Sequence, residues 1–261
     1  MSPIGSHMFM CDIRDLMTLA EQVRAGNVRA VSRLISLLEN HPGAREVLRF
    51  LNNTSRRTTV IGVTGYPGAG KSTVVDRLVS LYRRRGLKVG VLAVDISSPL
   101  TGGALLGDRI RMQEHALDHD VYVRSMATRG HHGGLAPATG DAALVLEAAG
   151  YEVILIETIG VGQNEVDIVD LAHIVVAVVA PGLGDEVQAM KAGLLEVAHI
   201  VVVNKGDLPD ADNTLRDLRE WCPNVLRTVA TTGEGIPELA AAMTRYQQSC
   251  GVGHVGEARN R

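Results

Sequence analysis

Aromatic residues are scarce in this chain of 261 residues: two Phe, five Tyr and a single Trp, 3% in all. With so few stacking platforms and a net charge of only −3, nucleic acid is not expected as a partner. The three cysteines, Cys11, Cys222 and Cys250, are odd in number and widely spaced, and none stands in a C-x-x-C pair. They form neither a disulfide framework nor a thiolate metal site, and a reducing cytoplasm is the expected compartment. The longest apolar runs, such as 174–180, fall far short of the roughly 20 residues a membrane span needs, so no membrane role is expected. The first eight residues contain Gly5-Ser6-His7-Met8, which reads as a cloning scar and not a targeting signal. No internal repeat stands out. What remains is an ordinary globular balance, 46% hydrophobic and 21% charged.

Apolar spacing predicts helices over 15–40, broken at Gly26-Asn27, and over 44–51 after His41-Pro42-Gly43. From residue 58 onward, strands and helices alternate. Strands are expected at 59–64, 88–94, 121–126, 152–157, 173–180, 199–204 and 225–229. Their near-continuous apolar character suits strands buried on both faces. Helices are expected at 73–85, 138–149, 186–196, 212–220 and 237–247. The fold class is therefore α/β, with a mostly parallel central sheet flanked by helices. The expected organisation is a tag at 1–8, an N-terminal helical extension at 9–57, a nucleotide domain at 58–249 and a disordered tail at 250–261.

The organising feature is the loop between the first strand and its helix, Gly65-Tyr66-Pro67-Gly68-Ala69-Gly70-Lys71-Ser72, a match to G-x-x-x-x-G-K-[ST] at every fixed position. Its glycines let the backbone curl so that successive N–H groups point at phosphate oxygens, and the helix that follows through Thr73 adds its positive end. Lys71 would reach the β- and γ-phosphates, and the Ser72 hydroxyl would ligate Mg²⁺. Strand, loop and helix come in the order a phosphate cradle needs, so a nucleoside triphosphate is the expected ligand.

Downstream, Asn204-Lys205-Gly206-Asp207 follows an apolar strand in the N-K-x-D pattern of guanine-specific proteins. The Asp207 carboxylate can accept from both N1–H and the 2-amino group, a pair of donors adenine does not offer. Asn204 would hold the loop, and the Lys205 stem would cover one face of the base. The segment 228–236 ends the last expected strand; in it the Ala230 N–H, with Thr231 beside it, is placed to meet guanine O6. A simple helix-entry loop is the alternative. Glu157 ends another strand where an acidic residue normally holds Mg²⁺, and Gly160 beyond it would offer its N–H to the γ-phosphate. Asp95 and Asp108 fit either a place near Mg²⁺ or the attacking water, or a surface cap. His131-His132 is not read as a metal site, because no Cys or acidic ligand stands at a useful spacing.

With these residues in hand, the chain resembles the MeaB/ArgK G-proteins, MMAA in humans, of the SIMIBI class. The resemblance rests on GYPGAGKST, DISSPLTGGALLGDRIRM, SMATRGHHGGLA, ETIGVGQNEVD, PGLGDEVQAMKAG, NKGD and ATTGEGI, which arrive in the family's order over roughly 15–247. It implies an Mg²⁺-dependent GTPase, cycling between GTP and GDP, that chaperones an adenosylcobalamin-dependent acyl-CoA mutase such as methylmalonyl-CoA mutase. Such a protein gates cofactor loading and protects the mutase. It further implies that 181–193 is a switch reporting nucleotide state, that Lys191 within it helps organise the catalytic site, and that Asp95, Asp108 and Glu157 occupy acidic positions around Mg²⁺. No cobalamin site is identifiable in the chain itself. Ile96 stands where relatives usually carry Pro, and Asn164 where they usually carry Ser. The family ends in a helical arm that builds a homodimer; this chain stops soon after Gln247, so a homodimer would need the client or another surface. Three other readings stay open. A nickel-type metallochaperone GTPase would require a Cys/His cluster, a P-loop kinase or ATPase would prefer adenine, and a nucleotide-dependent binding module would not turn over.

Overall fold

The computed structural model describes residues 13–51, 58–95, 112–115, 117–130, 134–160, 167–182 and 197–250. Two helices open the described chain, α1 (Ile13–Arg24) and α2 (Val28–Asn40). Gly26, at φ 77°, ends the first, and Asn27 caps the second by accepting from the Arg29 and Ala30 N–H groups. The expected third helix is instead 3-10, Pro42–Phe50, with bonds from Ala44 N–H to His41 O and from Leu51 N–H to Leu48 O.

Seven strands follow: β1 (Thr59–Thr64), β2 (Val89–Asp95), β3 (Val121–Ala127), β4 (Val153–Glu157), β5 (Ile174–Val179), β6 (Ile200–Val203) and β7 (Val225–Arg227). Between and after them lie α3 (Lys71–Arg84), α4 (Thr139–Ala148), α5 (Asp167–Leu171), α6 (Ala211–Arg219) and α7 (Ile236–Cys250). The sheet order is β3-β2-β4-β1-β5-β6-β7, and every pairing is parallel. Each expected strand is present. The five-residue α5 has too little apolar periodicity to be read from sequence. The expected helix at 186–196 and most of the tail lie outside the described residues.

Alternation along the strands sends side chains to two faces. Ile61 and Val63 of β1, with Val153 and Leu155 of β4, pack with Val74, Leu78 of α3 and Leu239, Met243 of α7. On the opposite face, Ile154 and Ile156 of β4 meet Leu146 of α4, Ile168 of α5 and, from the N-terminal helices, Val31, Leu34 and Ile35. Full burial of one such aliphatic side chain stabilises the fold by about 1.5–3 kcal/mol. The helices set off in the sequence as an extension thus pack onto the sheet and share its core. Side chains tie them to the edge strand: Arg124 of β3 forms an ion pair with Glu39 and donates to Ser36 Oγ at 3.0 Å.

Topology fixes where a ligand can sit. The chain runs from β1 outward to β2 and β3, returns with β4 between β1 and β2, then continues to β5 on the other side of β1. A crevice opens at such a reversal, beyond the carboxyl ends of the strands. The loop at 65–70 lies there, directly after β1.

Candidate nucleotide site

The loop at 65–70 leads straight into α3, whose first two residues are Lys71 and Ser72. Two glycines are demanded by close approach. Gly70 caps α3 at φ 93°, where a Cβ would run into Asn204 Nδ2. Gly160, at φ 87°, lies so near the loop that a Cβ would strike Gly65 O and Lys71 Nζ. Pro67 and Gly68 form the exposed crest, while Ala69 is buried. Thr73 stands in the first turn of α3.

Lys71 is buried, and its ammonium donates to Gly65 O at 2.7 Å, Tyr66 O at 3.2 Å and Ile159 O at 3.4 Å. A buried cation beside a helix N-terminus makes a strongly anion-attracting point in a desolvated setting. The same ammonium joins the loop after β1 to the loop after β4.

Next to it, the Ser72 hydroxyl donates to Glu157 Oε1 at 2.6 Å, and both residues are buried. Register explains the meeting: Glu157, last in β4, lies opposite Val63 of β1 and Ala93 of β2. Asp95 ends β2 two residues beyond Ala93. The Ser72 hydroxyl and Glu157 carboxylate in contact, with the Asp95 carboxyl at the end of the neighbouring strand, are all hard oxygen donors, the chemistry that Mg²⁺ takes, so these residue types fit that ion. No group of three or more His, Cys, Asp or Glu side chains comes together among the described residues. Thr158 Oγ1, following Glu157, donates to Thr64 Oγ1 at 3.1 Å and ties the ends of β4 and β1.

At the far side of the crevice, buried Asn204 donates from Nδ2 to Ala69 O at 2.9 Å. Its Oδ1 accepts from Thr228 Oγ1 at 3.1 Å and from the Ala230 N–H at 3.0 Å. One amide thereby links the phosphate loop, the end of β6 and the turn after β7. Lys205 adopts φ 56°, and Asp207 is exposed. The Ala230 N–H, expected to meet guanine O6, donates to Asn204 within the protein in this structure. β7 also ends two residues earlier than expected, because Val229 N–H turns back to Glu234 O at 3.0 Å. Sequence reasoning missed Arg77 of α3, which donates from Nε to Ala230 O at 3.0 Å and from Nη2 to Thr231 O at 2.9 Å. No local signal announces a contact spanning 153 residues.

Among the predicted site residues, Gly65, Lys71, Ser72, Glu157, Gly160, Asn204 and Ala230 gather around one crevice, and Asp95 ends the strand next to the one that carries Glu157. Asp108, Lys191, His131 and His132 lie outside the described residues, as do 96–111, 161–166 and 183–196.

A wholly parallel sheet with a phosphate loop at the reversal beside its central strand, and an N-K-x-D loop tied to it through Asn204, define a P-loop GTPase. The comparisons agree. The family model described as "Methylmalonyl Co-A mutase-associated GTPase MeaB" matches residues 31–261, and the chain belongs to the MeaB family. A candidate GTPase of Pyrococcus abyssi is 53% identical over 235 residues, 85% of this chain and 72% of the relative. GTPase ArgK of Escherichia coli is 36% identical over 256 residues, 88% of this chain and 76% of its own. A solved structure described as LAO/AO transport system kinase superposes with a TM-score of 0.70 at 27% identity, covering 96% of this chain and 81% of that one.

Proposed function

We propose that this GTPase is Mg²⁺-dependent and serves an adenosylcobalamin-dependent acyl-CoA mutase, such as methylmalonyl-CoA mutase, gating cofactor loading and protecting the loaded enzyme. The observation that carries the reading is the family description, which names a methylmalonyl-CoA mutase-associated GTPase, matched over residues 31–261.

In this reading the amides of residues 65–73 cradle the phosphates, and the Lys71 ammonium exchanges its carbonyl partners for phosphate oxygens. Its charge then stabilises negative charge developing on the transferred group, the dominant contribution in phosphoryl transfer. Ser72, Glu157 and Asp95 would hold Mg²⁺, with Asp108 as a further acidic candidate, and the ion there would supply charge neutralisation for the phosphates. The Gly160 N–H meets the γ-phosphate, so its presence or loss is felt by the loop after β4. Asp207 reads the guanine edge, Asn204 holds its loop, and Lys205 covers the ring. Lys191, in the segment after Gly182, would complete the catalytic site and report nucleotide state to the client.

The test is co-elution on size exclusion with methylmalonyl-CoA mutase from the source organism. The expected outcome is a complex whose stability differs between GDP and a non-hydrolysable GTP analogue. Absence of any complex in either nucleotide state would overturn the assignment of the client.

A further inference from the structure

The turn after β7 is gripped from two sides. Asn204 Oδ1 takes the Ala230 N–H, while Arg77, reaching from α3, takes two successive carbonyls, Ala230 O at 3.0 Å and Thr231 O at 2.9 Å. A guanidinium does this well because Nε and Nη2 are fixed donors in one plane; a lysine offers only a point charge. The consequence follows from peptide geometry. In a planar trans peptide, C=O and N–H point in opposite directions. Holding Ala230 O therefore aims the N–H of the same peptide, that of Thr231, away from Arg77. Holding Thr231 O does the same for the Thr232 N–H, which donates to Val229 O at 3.1 Å. The Thr231 N–H makes no bond among the described residues.

We infer that Arg77 is a positioning residue for base recognition: it fixes the Ala230–Thr231 turn so that the Thr231 N–H is the donor to purine O6. The inference rests on the reading of Asp207 and this turn as the guanine site. It also binds specificity to the phosphate loop mechanically, because Arg77 stands in the helix that Lys71 and Ser72 begin.

Displacement of a fluorescent GDP by GDP, IDP and 6-thio-GDP tests it. IDP lacks the 2-amino group that Asp207 reads, and 6-thio-GDP replaces O6 with a weaker acceptor. Arg77→Ala is expected to weaken GDP roughly tenfold, the net worth of one to two hydrogen bonds. It should bring the GDP to 6-thio-GDP preference close to one while leaving the GDP to IDP preference as in the wild type. Arg77→Lys, which keeps charge and stem, should fall between. A wild-type GDP to 6-thio-GDP preference in both variants would overturn the inference. Asp207→Asn is the control for the underlying reading and should alter the IDP comparison alone. If it leaves that comparison untouched, the guanine site itself is misassigned, whatever Arg77 does.

Discussion

The Ser72 hydroxyl lies 2.6 Å from Glu157 Oε1, a buried contact between residues 85 apart in the chain. One partner is the second residue of the helix that follows the phosphate loop; the other is the last residue of the strand beside β1. The pair couples the phosphate cradle to the loop after β4.

Glu157→Gln keeps an acceptor for Ser72 and removes the charge. The fold is expected to survive, with melting temperature little changed. GTP turnover should fall by roughly 10²-fold, as for loss of one electrostatic stabiliser of the transition state. The Mg²⁺ concentration giving half-maximal rate should rise. Titration of Mg²⁺ against turnover measures both.

Lys71→Ala removes the only buried side-chain cation in this crevice among the described residues. Turnover should drop by roughly 10²–10³-fold, with the larger part in kcat, since the charge it meets grows toward the transition state. Single-turnover kinetics at saturating GTP are the check.

The strands were legible in the sequence because runs such as 174–179 are apolar throughout, and the cradle because its glycines and Lys71 are contiguous. Arg77 was not, since its purpose lies in two carbonyls on a distant turn. Nor was the Ala230 N–H, whose engagement depends on where Asn204 is carried by β6. The packing of α1 and α2 onto the sheet is likewise a long-range fact that periodicity cannot supply. Against the expectation of no internal repeat, Ala172-His173-Ile174-Val175-Val176 recurs as Ala198-His199-Ile200-Val201-Val202. In both copies the histidine Nδ1 accepts a backbone N–H from a neighbouring strand, that of Val60 at 3.0 Å and that of Val175 at 2.9 Å.

That repeat predicts a pH dependence. Burial holds the His199 pKa below its ordinary value of 6.5, and the ring stacks on Tyr246. The unfolded chain therefore takes up the proton more readily than the folded one. The contribution of His199 is fully present above about pH 6.5 and is lost as pH falls below that value toward the lower folded pKa. Denaturant melts from pH 8 to 5 should show stability declining on the acid side, and His199→Asn, which retains an acceptor without the titration, should flatten that limb.

Asp207→Asn exchanges an acceptor-only group for one that both donates and accepts. Guanine affinity should fall by roughly 10²-fold or more, because a desolvated donor is left unpaired. Xanthosine triphosphate, with a carbonyl in place of the 2-amino group, should become the better substrate. Because Asp207 is exposed, the melting temperature should hold steady. Competition between GTP and XTP in the hydrolysis assay separates the outcomes.

The most direct measurement of the central claim is the GTP turnover rate with and without methylmalonyl-CoA mutase from the source organism. Hydrolysis by the GTPase alone should be slow and many times faster when the mutase is added, with Lys71→Ala slow in both conditions. An unchanged rate on addition of the mutase, or a Lys71→Ala variant as active as the wild type, would contradict it.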